Sequence, residues 1–126
     1  MKLSDLDFGV YKEISPQIVE VVIDEGMELT EKMQGQAEKA LNDTYQEKPY
    51  GLLINRVNPY THSYGSIRKV ARFNNLTALA IVVYSSSAEV IAQVHTYFQK
   101  NVKIFSDREE ALSWLEMKLL SEKMSP

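Results

Sequence analysis

Two stretches of this chain, Tyr50-Gly-Leu-Leu-Ile54 and Leu76-Thr-Ala-Leu-Ala-Ile-Val-Val-Tyr84, run apolar with no polar residue on every second position. A strand with one wet face alternates; a strand that is apolar throughout is covered on both faces, as happens when parallel strands are joined by helices. The two segments are therefore expected to be central parallel strands. That expectation requires helices above and below them.

The rest of the chain supplies such helices. Phe8 to Ile14 and Ile18 to Ile23 are short runs rich in β-branched and aromatic residues, and Ser15-Pro16-Gln17 between them has hairpin length, so they read as an antiparallel pair. Apolar residues at 29, 33, 37, 40, 41 and 45 follow helical spacing, with Thr30 as the expected N-cap. Gly35 weakens this helix and is read as making room for close packing. Ser86-Ser-Ala-Glu89 and Ser106-Asp-Arg-Glu109 both fit a capping box, and each precedes an amphipathic run. Val102 to Phe105 is a short strand between them, and Trp114 sits at the edge of the last apolar stripe. The order β-β-α-β-α-β-α-β-α predicts a three-layer α/β domain with a mostly parallel mixed sheet and an N-terminal antiparallel hairpin.

At 126 residues the chain fits one domain, spanning 1–126, that buries roughly two-thirds of its unfolded surface. It has no cysteine, which excludes disulfides, thiolate metal sites and cysteine nucleophiles. The segment MKLSDLDFGV carries acids early and has no long apolar core, so no signal peptide is expected. The uncharged run from Phe73 to Ala88 falls short of the roughly 20 apolar residues of a spanning helix. A cytoplasmic location is the expectation that follows. The net charge of −3 is unevenly spread: −6 over residues 1–50, +5 over 51–105 and −2 over 106–126. Such blocks either meet an oppositely charged partner or face one another within the fold.

Most of the chemistry-bearing side chains gather in Asn55-Arg-Val-Asn-Pro-Tyr-Thr-His-Ser-Tyr-Gly-Ser66. His62 and Ser63 are adjacent, which points them apart in a loop, and no Gly-x-Ser-x-Gly elbow surrounds Ser63. His95 is read as edging a packed helix face beside Ile91 and Phe98. Two histidines without a carboxylate cluster make no metal site, and no phosphate loop or dinucleotide fingerprint points to a cofactor. Catalysis is not expected. The loop would follow the carboxyl end of a parallel strand, where ligands and partners meet free helix N-termini. There Tyr60, His62 and Tyr64 are expected on display, and the helix Ser66 to Phe73 would set Arg68 and Arg72 one turn apart. A solvated loop beside an ordinary charged helix is the plainer alternative.

The element order, Tyr84-Ser-Ser-Ser-Ala-Glu89 and the ending Val102-Lys-Ile-Phe-Ser-Asp-Arg-Glu-Glu-Ala-Leu-Ser-Trp-Leu115 resemble the STAS superfamily. These are the anti-sigma-factor-antagonist-like domains, here the branch grouped with CRAL-TRIO folds. In antagonists of this kind the loop after the third strand carries Asp-Ser/Thr-Ser/Thr-Gly with a phosphorylated last hydroxyl. Aligned on Gly65, this chain has His62 at the aspartate, Ser63 at the first hydroxyl and Tyr64 at the phosphoacceptor; Thr61, Ser63 and Ser66 are the hydroxyls that remain.

The resemblance implies a small bacterial, non-catalytic regulatory domain that docks a partner through Tyr60, His62, Ser63, Tyr64, Arg68 and Arg72. The partner would be a protein, or an anionic small molecule or lipid headgroup attracted by the basic block. The CRAL-TRIO side of the resemblance implies instead a small-molecule or lipid carrier with an apolar pocket. Nucleic acid is not expected, since the net charge is negative and no stacking sheet or recognition helix is visible. A homo-oligomer is left open.

Overall fold

The structure is a computed structural model that describes residues 6–124, so the reading of the first five residues lies outside the described residues. Its main sheet has five strands in the order β1-β2-β4-β6-β7, with β1 Gly9–Ser15, β2 Ile18–Ile23, β4 Tyr50–Asn55, β6 Leu76–Val82 and β7 Val102–Phe105. The β1-β2 pair is antiparallel and the other pairs are parallel. Four helices complete it: α1 Glu31–Tyr45, α2 Tyr64–Ala71, α3 Ser86–Gln93, which runs on into a 3-10 turn at Val94–Tyr97, and α4 Arg108–Met124. The expected order is present. Two strands were not foreseen: β3 Glu28–Leu29 and β5 Thr61–His62, which pair in parallel as a separate two-stranded sheet.

Double-sided burial of the central strands follows from their alternation. Leu52 and Ile54 of β4 join Leu79 and Ile81 of β6 in a core with Ala37 and Leu41 of α1, Val70 of α2 and Ala92 of α3. Leu53, Ala78, Ala80 and Val82 face the other way, onto Ala111, Leu115 and Leu119 of α4. Small residues on β6 let that single helix lie close. Gly51 serves the same end, since a Cβ there would come 3.2 Å from Leu115. Trp114 flanks this second core, its ring centroid 5.7 Å from that of Phe105.

Local chemistry sets the ends of the elements. Pro16 and Gln17 form a two-residue turn in which Gln17 takes φ 71°, the left-handed value that the second turn position demands. Thr30 caps α1 as expected, accepting from Met33 N at 3.2 Å. The other caps fall one residue away from the serines read as boxes. Ser85, not Ser86, caps α3 by accepting from Ala88 N at 3.2 Å, because three successive serines cap equally well and the strand geometry favours the first. Asp107, not Ser106, accepts from Glu109 N at 2.8 Å at the start of α4.

Gly35 corrects another expectation. A Cβ at this position would have no heavy atom within 4 Å, so the glycine makes room for nothing. Gly35→Ala is therefore expected to raise stability by about 0.5–1 kcal/mol, the helix-propensity difference with no steric penalty. Urea denaturation of the two proteins measures it; a destabilised variant would show a hidden close contact.

Candidate functional site

The loop beyond β4 is held, not free. Thr61 N donates to Met27 O at 3.0 Å and Ser63 N to Leu29 O at 2.8 Å, which makes β5 out of loop residues and ties them to the approach to α1. Tyr60 is consequently buried, at 5% exposure, and the expectation that it is on display is wrong. The Arg56 guanidinium lies 3.9 Å from the centre of its ring and donates from Nη2 to its carbonyl at 3.0 Å. An extended segment alternates its side chains, and pairing to β3 turns Tyr60 and His62 toward the core.

His62 is also turned inward and only partly exposed. Its Nε2 is 3.4 Å from Arg56 Nη1, and its ring stands edge-on to Tyr60 at 5.4 Å and to His95 at 5.3 Å. Arginine has donors only, so His62 accepts at Nε2 and carries its proton on Nδ1, which has no hydrogen-bond partner. His95 is 3% exposed, in line with the packed position read from the sequence, and its Nδ1 is also unpartnered. Burial, then His95 and Arg56, push the His62 pKa down to about 3; burial and Arg56 push His95 to about 4. Both rings are neutral at neutral pH. Among the described residues no group of three or more His, Asp and Glu could hold a metal ion, and the pair's third neighbour is a guanidinium, which repels cations.

The remaining candidates separate into two groups. Ser63 is the N-cap of α2, accepting from Ser66 N at 3.1 Å, and Ser66 is fully buried with Gln34 Nε2 donating to its hydroxyl at 3.1 Å. Both are structural, which leaves Thr61 as the exposed hydroxyl of the three aligned near the switch position. Tyr64 is 65% exposed and leans edge-on against Phe98 at 5.4 Å. Arg68 and Arg72 are exposed too; Arg72 closes α2 as its C-cap. Neither has an ion-pair partner among the described residues, whereas Lys69 between them pairs with Glu38 at 3.0 Å. The charge blocks thus face one another through Lys69 alone of this helix.

Two features were missed at the sequence level. Arg56 is 7% exposed, and the signal was its parity with Leu52 and Ile54, which sends the first residue past the strand to the same buried face. On the opposite face Arg108 donates from Nε and Nη2 to Glu20 at 2.8 and 3.1 Å, Asn55 Nδ2 donates to Glu20 at 3.0 Å, and Tyr84 OH donates to Asn55 Oδ1 at 2.6 Å. Chiefly the Arg108 hydrogen bonds hold the Glu20 carboxyl below its usual range, against the effect of burial. Above Arg56 a cleft of about 730 Å³ opens between Gly26-Met27, the Arg56–Tyr60 segment and the start of α3. A small cavity of about 20 Å³, lined by Tyr60, His62 and His95 among others, lies beneath.

A five-stranded mixed sheet with an antiparallel leading hairpin, three helices on one face and the last on the other is the SpoIIAA-like fold, that of STAS domains and anti-sigma-factor antagonists. The chain is similar to a solved structure of an uncharacterized protein of the DUF3478 family with this fold, from Shewanella loihica PV-4. The two superpose with a TM-score of 0.61 over 89% of this chain and 97% of that one, at 18% identity. No protein-family model and no curated protein matches the chain. Among the described residues no helix is long and apolar enough to cross a membrane.

The histidine pair gives the site a pH signature. In the unfolded chain each ring titrates near 6.5, while the folded rings stay neutral down to about 4 and 3. The unfolded state therefore takes up protons first as pH falls, so the stability is full above 6.5 and declines below it. The steepest loss is about 1.4 kcal/mol per pH unit for each ring. Urea midpoints between pH 7 and about 5, where most carboxylates keep their charge, should fall, and His95→Gln should flatten the decline. A midpoint constant over that range would mean that the rings are accessible and protonate in the native state.

Proposed function

We propose that the chain is a non-catalytic regulatory domain that docks an acidic protein partner through the outer surface of α2 and the neighbouring 3-10 turn. One observation carries this reading: Tyr64 at 65% and Tyr97 at 83% exposure flank Phe98 beside two arginines that have no ion-pair partner among the described residues. Aromatic and arginine side chains are the usual anchors of protein interfaces, and charges at a rim steer encounter. The SpoIIAA-like fold supports a regulatory role of this kind.

A non-catalytic role is supported by the state of the loop's acid/base candidates. His62 faces a guanidinium and is held neutral, and the Ser63 hydroxyl is engaged in capping α2. The carrier alternative has less behind it. Within the core, between the sheet and the helices, the cavity of about 20 Å³ has the size of one water and none of the length of an acyl chain, so an apolar ligand would have to lie in the open cleft above it.

Partners captured by the parent protein at low salt should be identified by mass spectrometry and the binding reconstituted from pure components. Arg68→Glu with Arg72→Glu is then expected to slow association by about tenfold or more, an effect that shrinks as salt rises, with melting unchanged. Melting well below the parent with association untouched would show that the arginines serve their own chain. A copurifying lipid in native mass spectra would favour the carrier.

A further inference from the structure

We propose that the cleft at the carboxyl edge of the sheet binds the phosphate monoester head of a small amphipathic molecule, with Arg56 as its fixed cation and the first turn of α3 as its backbone donors. This site goes beyond the docking surface and uses none of its residues.

The first argument is an uncompensated charge. Arg56 lines the cleft at 7% exposure, and no carboxylate lies within ion-pair distance of it among the described residues. A buried guanidinium without a counter-ion is costly, and the groups around it only partly offset the cost. Nη2 has the Tyr60 carbonyl and Nη1 the His62 ring, both neutral acceptors, and Nε, which is shut off from solvent, has no hydrogen-bond partner, so none of the described groups around the guanidinium carries the opposite charge. An anion is the ligand class that relieves this arrangement.

The second argument is the helix that opens on the same cleft. Ser85 accepts from Ala88 N through its side chain and from Glu89 N through its carbonyl. Of the four N–H groups at the start of the helix, from Ser85 to Ala88, the cap accounts for that of Ala88, and Ser87 among the rest lines the cleft at the positive end of the helix dipole. Helix N-termini of this kind take phosphate readily. A guanidinium, the Ser87 N–H and the hydroxyls of Ser85 and Ser87, which are paired with each other at 3.3 Å, offer more donors than a carboxylate has oxygens to occupy, and a phosphate monoester has the charge and oxygens to match.

The walls describe the rest of the ligand. Met27, Val57, Pro59 and Ile91 are apolar and Tyr84 adds a ring, so the body attached to the phosphate is apolar or aromatic. At about 730 Å³ the space exceeds what inorganic phosphate alone fills and suits a small organic molecule. Glu25, exposed at the rim, is the one carboxylate lining the cleft and selects against a second anionic group on the body.

Calorimetric titration of the whole chain in phosphate-free buffer, with inorganic phosphate, phenyl phosphate and phenol, tests the site. Phenyl phosphate should bind saturably and more tightly than phosphate, and phenol should not bind. Arg56→Met should weaken phenyl phosphate about tenfold or more. Arg56→Lys, which keeps the charge and loses the fork, gives the same reading with less disturbance of the fold. Ser87→Ala removes a hydroxyl that lines the cleft and should weaken binding several-fold. The pair Arg68→Glu and Arg72→Glu should leave it unchanged. Co-sedimentation with phosphatidylcholine vesicles containing phosphatidate, lost in Arg56→Lys, would assign the phosphate to a lipid headgroup; phenyl phosphate binding without it assigns a soluble molecule. No saturable heat from either phosphate compound up to millimolar concentrations, or equal affinity in the parent and both Arg56 variants, overturns the proposal.

Discussion

Everything in this structure depends on β4 and β6 being buried on both faces. Once Leu52 and Ile54 face one way and Leu53 the other, the sheet needs a cover on each side, and the chain has only its crossover helices and its last helix to supply it. The three crossovers all advance in one direction along the order β2-β4-β6-β7, so α1, α2 and α3 fall on one face, leaving α4 alone for the other. That asymmetry explains the small residues on the α4 side of β6. It also explains why the carboxyl edge of the sheet collects the starts of α1, α2 and α3, and with them the polar groups of the candidate sites.

The edge is divided by the same alternation. Asn55 turns to the α4 face and joins Glu20, Arg108 and Tyr84 in a network in which donors meet acceptors and the Arg108 cation meets the Glu20 carboxylate and, at its rim, that of Glu109. Arg56, one residue on, turns to the other face and meets neutral partners only. Two neighbouring positions thus place one satisfied polar network and one unsatisfied charge on opposite sides of a single strand end. The first closes on itself as a structural network; the second is the charge on which the proposed phosphate site rests.

Much of the fold was legible because it rests on periodicity. The uninterrupted apolar runs at Tyr50 and Leu76, the Pro16-Gln17 turn and the Thr30 cap are local signals, and local signals survive without knowledge of neighbours. The candidate site was legible only in part. Arg68 and Arg72 are exposed as expected, although the helix read as Ser66 to Phe73 runs from Tyr64 to Ala71, with Arg72 its C-cap, and Tyr64 is exposed as its first residue and not in the loop before it. Tyr60, His62 and Ser63 are not placed as expected, because the β3-β5 pairing is two residues long on each strand and leaves no periodic trace in the sequence. Ser63 looked like a loop hydroxyl until the helix was seen to begin at Tyr64. His62 and His95 are 33 positions apart, and only the fold brings their rings together.

The two outer strands carry a consequence for how the protein behaves in crowded solution. A sheet edge is a template for further strands, and chains that expose long flat edges pair with one another and aggregate. Here β7 is four residues long with the exposed Lys103 in its middle, and β1 carries the exposed Lys12 and an irregular register between Glu13 and Ser15. Short length, lysine and a bulge are three devices that blunt an edge, and together they make the sheet self-limiting at five strands. Growth of the sheet by strand addition is discouraged at both ends, which leaves helices and loops as the surfaces through which this fold meets other molecules.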